Sequence, residues 1–151
     1  MEKLNLPTYL FNIKLIEQRK YIFDSIRKKF VILTPEEWVR QNFLKFLVDE
    51  KKYPASLIAV EMEFKLNNLS KRSDAVVYNK SGHPLLIIEC KASSVKIDQK
   101  VFDQIARYNM KLNVEYLIVT NGLQHFCCKI DYKNYVYSFI KEIPLWKDIS
   151  C

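Results

Sequence analysis

At 151 residues, with 49% apolar and 13% aromatic side chains, the chain has the size and composition of one packed domain, which excludes wholesale disorder. A formal charge of +7 and a pI near 9.2 favour an anionic partner. The two glycines, Gly82 and Gly122, cannot build a Walker A loop or a Gly-x-Gly-x-x-Gly turn, so an ATP-driven motor and a dinucleotide cofactor are excluded within this chain.

No apolar run is long enough to cross a bilayer, and Met1-Glu2-Lys3 leads into a mixed stretch unlike a secretory signal. Four cysteines (Cys90, Cys127, Cys128 and Cys151) show no Cys-x-x-Cys spacing, which implies reduced thiols in a cytoplasmic protein without a membrane partner.

Residues 12–16 and 20–32 read as strand-like or irregular, and Arg27-Lys28-Lys29 reads as a solvated basic cluster. Thr34-Pro35-Glu36-Glu37 then announces a helix: Thr34 caps, Pro35 suits the first turn, and Glu37 completes a capping box. Trp38, Val39, Phe43, Leu44, Phe46 and Leu47 place its buried face, and the helix is expected to end near Glu50. Residues 57–66 alternate as one half-buried strand, with Val60, Met62, Phe64 and Leu66 on one side and Glu61 and Glu63 on the other. Asn67-Asn68-Leu69-Ser70 is a turn, residues 72–79 a strand, and Asn79-Lys80-Ser81-Gly82 a hairpin turn. Residues 84–91 return as an apolar strand of the kind found at a sheet centre.

Asp98 to about Leu112 has the periodicity of a helix, with Val101, Ile105, Tyr108 and Leu112 along its stripe. Residues 115–120, 124–130 and 135–140 are three further strands, the first two joined at Asn121-Gly122. The resulting fold class is α/β: a central mixed β-sheet flanked by helices, in one domain over residues 1–151 with its core at about 34–130 and β additions at both ends.

Asp74 and Glu89 stand at neighbouring ends of the 72–79 and 84–91 strands, with Lys91 two residues beyond the glutamate. Charged groups there cost several kcal/mol each, roughly, without partners, and a divalent cation with a phosphate would partner them. Phosphodiester cleavage needs hard oxygen ligands for Mg²⁺, an activated water and offset of charge on the phosphate. Asp74 and Glu89 can converge on one ion, and the Cys90 carbonyl is a further oxygen ligand. Strand alternation turns the Cys90 side chain away and returns Lys91 to the Glu89 face, poised for the water or the phosphate. An ion-pair cluster at a sheet edge is the alternative reading of the same trio.

Ser73-Asp74-Ala75 followed by Ile87-Ile88-Glu89-Cys90-Lys91-Ala92 resembles the PD-(D/E)xK nuclease pattern, with Arg72-Ser73 where the proline would stand. More narrowly, Thr34 to Gly122 resembles the N-terminal nuclease domain of type I restriction enzyme R subunits. The resemblance is carried by residues 34–40, by Glu89-Cys90-Lys91-Ala92, by Gln104-Ile-Ala-Arg-Tyr108-Asn109 and by Leu117-Ile-Val-Thr-Asn121-Gly122. It implies a restriction-endonuclease-like core, Asp74 and Glu89 as metal ligands, and Lys91 as catalytic lysine. It further implies site contacts from Gln104 and Tyr108, one turn apart on a helix. A metal ligand from the first helix, Glu37 or Glu36, is also implied, against the capping role of Glu37.

The expected activity is therefore that of a Mg²⁺-dependent deoxyribonuclease, with Mn²⁺ as substitute, acting on DNA in restriction-modification. Motor or specificity subunits are the implied partners, and a dimer would place two sites for two strands. The rival expectation is a non-catalytic nucleic-acid-binding or assembly module that keeps the nuclease fold. Lys71, Arg72, Lys96, Lys100, Arg107 and Lys111 are candidates for tracking phosphates or for a solvated surface. His83 and His125 lack a partner at ligand spacing.

Overall fold

In the computed structural model, which describes residues 1–61, 63–66 and 69–150 (apart from the side chains of 64–66 and 69–72), the chain begins with a small antiparallel sheet. Its strands are β1 (Ile13–Ile16), β2 (Arg19–Asp24) and β3 (Lys29–Ile32), paired in the order β1-β2-β3. The β2–β3 turn is set by Asp24, whose Oδ1 accepts the N–H groups of Ile26 at 2.8 Å and Arg27 at 3.0 Å.

Helix α1 (Pro35–Asp49) starts where the sequence places it, with Thr34 Oγ1 accepting the Glu37 N–H at 3.0 Å. The reciprocal half of the capping box does not form. Glu37 turns its carboxylate to Arg27 and Arg40, because two guanidinium ions attract it more strongly than one backbone N–H.

The expected single strand over 57–66 is two. β4 (Ile58–Val60) and β5 (Glu63–Leu66) are separated at Glu61, which adopts φ +55°. The return is split likewise into β6 (Leu69–Arg72) and β7 (Ala75–Tyr78), leaving Ser73 and Asp74 between them. β5 and β6 form a separate two-stranded ribbon. Of the expected turn, residues 67 and 68 lie outside the described residues, as does Met62 of the alternating set, and Leu69 and Ser70 belong to β6.

The main sheet adds β8 (Pro84–Cys90), β9 (Tyr116–Thr120), β10 (His125–Asp131) and β11 (Val136–Ile140), in the order β11-β10-β9-β8-β7-β4. Its pairings are antiparallel except β8 with β9, which helix α2 (Gln99–Met110) joins as a crossover. A last short helix, α3 (Trp146–Ile149), sets Trp146 against Tyr53.

The sheet is covered on both faces. On one, Val39, Phe43 and Leu47 of α1 cluster with Val77, Leu86, Ile88 and Ile118. On the other, Phe102, Ala106 and Met110 of α2 cluster with Ile87, Leu117 and Val119. Each such side chain contributes about 1.5–3 kcal/mol by leaving water. The buried stripe of α2 is shifted from the expected one: Phe102, Ala106 and Asn109 are buried, whereas Val101 and Ile105 are only half-buried and Tyr108 is exposed. Phe102 decides the shift by packing its ring against Phe126, Tyr137 and Phe139.

Both glycines have positive φ, but their surroundings differ. A Cβ on Gly122 would lie 2.8 Å from Leu4 Cδ2 and 3.2 Å from Val39 Cγ2, whereas Gly82 has nothing within 4 Å. Gly82→Ala should therefore lose about 1 kcal/mol for its backbone alone, and Gly122→Ala measurably more, a difference readable from paired urea melts.

Candidate functional site

The candidate site lies where β7 begins and β8 ends. Ala75 pairs with Ile88 across these antiparallel strands, so Asp74, one residue earlier, stands across from Glu89, one residue later. Asp74 precedes β7, and its carboxylate faces α1, where Arg40 lies 3.5 Å from Oδ1. Asp74 fastens the junction: its Oδ2 accepts the Cys90 N–H at 2.7 Å, and its backbone carbonyl accepts the Glu61 N–H at 3.0 Å. Lys91 continues past β8, its N–H donating to the Thr120 carbonyl at 2.8 Å, which extends the β8–β9 ladder by one residue.

Alternation separates the two sides of this strand end. Cys90 is buried with the α1-side cluster, and burial together with the charge of Asp74 pushes its thiol well above the ordinary range. Glu89 and Lys91 are half-buried on the other side. Glu36, at the start of α1, has its carboxyl raised by partial burial and by the negative charge of Asp74, while Arg40 and Lys91 oppose that rise. Asp74, Lys91 and Glu36 thus share one electrostatic neighbourhood.

Behind them runs a chain of charges that the sequence reading does not anticipate. Arg27, within the turn expected to be a solvated basic cluster, is half-buried and pairs with Asp24, with Glu37 at 2.9 Å and with Glu61 at 3.3 Å. Arg40 is buried, donates to both oxygens of Glu37, and reaches Glu61 at 3.2 Å and Asp74 Oδ1 at 3.5 Å. Gln41 Nε2 adds a hydrogen bond to Glu37 at 2.9 Å. Glu37 is therefore enclosed by nitrogen donors, whereas Glu36 is exposed, its carboxyl feeling the charges of Asp74, Arg40 and Lys91. The only signal in the sequence is the i, i+3 spacing of Glu37 and Arg40.

Burial pushes the Glu37 carboxyl up, but the Arg40, Gln41 and Arg27 bonds outweigh it and hold the group below the usual range. Asp24 is likewise held low, by Arg27 against burial. His125, half-buried and bonded through its ring to Thr120 Oγ1 and the Asn5 carbonyl, has its imidazole lowered by burial. A lowered folded pKa stabilises the fold above the unfolded value and is lost as pH falls. Calorimetric melting from pH 8 to 3 should therefore show a first loss of stability below about pH 6.5, from His125, and a second below about pH 4.3, from Glu37 and Asp24.

Gln104 and Tyr108 stand exposed on α2, one turn apart, with Arg107 between them bonded to Asp103 at 2.8 Å. Lys96, Lys100 and Lys111 are exposed as well, and the side chains of Lys71 and Arg72 lie outside the described residues. His83 is exposed in its turn. No group of three or more His, Cys, Asp or Glu among the described residues is arranged to hold a metal ion.

A six-stranded mixed sheet covered by a helix on each face is an α/β fold. Residues 35–144 match the model of the type I restriction enzyme R protein N terminus, and the chain belongs to that family. Among solved structures it is similar to a fragment assigned as an HsdR subunit of a type I restriction enzyme from Vibrio vulnificus YJ016. The two are 17% identical with a TM-score of 0.55, over 78% of this chain and 24% of that one. This chain therefore spans about a quarter of that structure's length. None of the curated proteins compared with the chain matches it.

Proposed function

We propose that the chain is a metal-dependent deoxyribonuclease domain of the PD-(D/E)xK type, serving a type I restriction system in the cytoplasm. The observation that carries this reading is the bond from the Cys90 N–H to Asp74 Oδ2 at 2.7 Å, which sets Asp74 beside the Glu89-Cys90-Lys91 strand end. The donor set fits Mg²⁺, or Mn²⁺ in its place: two carboxylates on neighbouring strands and the Cys90 carbonyl between Glu89 and Lys91. Such an ion keeps several waters and does not need a closed protein cage. When bound it would supply a more acidic water and a positive charge for the phosphate.

The roles of the side chains follow from their positions. Asp74, held through Oδ2 by the Cys90 N–H and approached at Oδ1 by Arg40, supplies one carboxylate, and Glu89 supplies the second. Lys91 orients the attacking water and meets the phosphate with its ammonium group. Glu36, with its raised carboxyl, is suited to accept a proton from that water. Gln104 and Tyr108 contribute contacts to the DNA backbone from α2. DNA translocation and sequence recognition belong to other subunits or other segments, since no nucleotide-binding loop is encoded here.

The pairing of Arg40 with Asp74 favours a second reading, a nucleic-acid-binding or assembly module without hydrolysis, because an arginine beside a metal ligand competes with the metal for its charge. Incubation with supercoiled plasmid separates the two. The nuclease reading expects nicked and linear products with Mg²⁺ or Mn²⁺ and none with EDTA, and intact plasmid under all conditions would leave the module.

A further inference from the structure

We infer that the solvent face of the β1–β3 sheet is a binding surface for an unpaired nucleic-acid strand, feeding the proposed nuclease site beside it. The inference rests on the reading of this chain as acting on DNA, but on a separate set of residues. Strand pairing divides the sheet into two faces. Ile22 and Asp24 are fully buried on the inner one. Lys14 pairs with Tyr21, Tyr21 with Ile32, and Phe23 with Phe30, which places this set on the outer face.

That outer face is built of rings and cations. Tyr21, Phe23 and Phe30 are half-buried, so each keeps surface open to a ligand. Phe23 and Phe30 meet edge to face at 5.3 Å, and the Lys14 ammonium lies 3.8 Å from the Phe30 centroid. The register places two exposed basic side chains on this face, Lys14 and Arg19, with Lys28 exposed in the β2–β3 turn, against one exposed carboxylate, Glu17, in the β1–β2 turn. Lys20 and Lys29 fall on the Ile22 and Asp24 face. Charge complementarity therefore selects a polyanion. Aromatic rings interleaved with the charge select one whose bases are free to stack, since a duplex hides its base faces.

The surface leads toward the proposed site through Arg40 and Glu61, each bonded to Asp74. Tyr21, Phe30 and Ile32 line a groove of about 680 Å³ whose other wall carries Glu36, Arg40 and Glu61. A strand lying across the rings would reach the start of α1, where Arg40 lies 3.5 Å from Asp74 Oδ1.

The test is fluorescence anisotropy of a labelled 20-nucleotide oligo(dT) and of a 20-base-pair duplex, both in EDTA. The single strand should bind more tightly than the duplex. Phe30→Leu should weaken single-strand binding about tenfold and Phe30→Tyr should restore it, at unchanged melting temperature. Each of Arg19→Ala and Lys28→Ala should lower the salt dependence by about one counterion. Equal or tighter duplex binding, or a Phe30→Leu protein that binds oligo(dT) like wild type, overturns the inference. Plasmid cleavage is scored separately. Cleavage without oligo(dT) binding sinks this surface alone, whereas oligo(dT) binding without cleavage sinks the nuclease reading alone.

Discussion

Lys91→Ala is expected to reduce plasmid cleavage by about 10²–10⁴-fold while leaving the melting temperature within a few degrees of wild type. The side chain is half-buried and lies beyond the last residue of β8, so its removal opens no core cavity. Its backbone bond to Thr120 survives any substitution except proline. What is lost is one ammonium group near a phosphate that gains charge as the bond breaks. Lys91→Arg should recover little, because a planar guanidinium on a longer stem does not place its charge at the same point. Cleavage by Lys91→Ala at the wild-type rate would remove the lysine from the mechanism.

The largest effect on stability is expected from Arg40→Leu, at about 3–5 kcal/mol by urea denaturation. Arg40 bonds both oxygens of Glu37 and also reaches Glu61 and Asp74. Its guanidinium is held more basic than usual: burial pulls it down, and the carboxylates of Glu37 and Asp74 more than compensate. Without it, Glu37 stays buried with only Arg27 and Gln41 beside it. A loss of this size is a large fraction of the 5–15 kcal/mol that a domain has in total. Glu37→Leu in the same chain should recover part of the loss, because a buried ion pair replaced on both sides costs less than one broken on a single side. A single-variant loss below about 1 kcal/mol would mean that the charge network contributes little.

The elements most legible in the sequence are those written in local chemistry. Thr34-Pro35 fixes the start of α1, and the apolar runs of β8 and β9 leave no alternative to a buried sheet centre. Asn79 and Gly82 mark the β7–β8 hairpin, where the Asn79 side chain accepts the N–H groups of Ser81 and His83. The break at Glu61 is not legible, because the alternation around it suits an unbroken strand. A left-handed glutamate is imposed from outside, by Asp74 accepting its N–H and by Arg27 and Arg40 reaching its carboxylate.

The same reasoning accounts for what was legible of the site. Asp74, Glu89 and Lys91 are visible because charged residues at the ends of apolar strands need a reason to be there. Arg27 is not, because nothing local says that its turn folds back onto α1. Glu36 and Glu37 are indistinguishable in sequence, and only the arginines separate them, by enclosing Glu37 and leaving Glu36 exposed.

The most direct measurement is calorimetric titration of Mn²⁺ into the wild-type protein and into Asp74→Asn and Glu89→Gln. If one divalent cation is held between the two carboxylates, wild type binds it and each variant binds it at least tenfold more weakly while melting cooperatively. Folded wild-type protein that takes up no Mn²⁺, or variants that bind it as tightly as wild type, would contradict the shared-cation site.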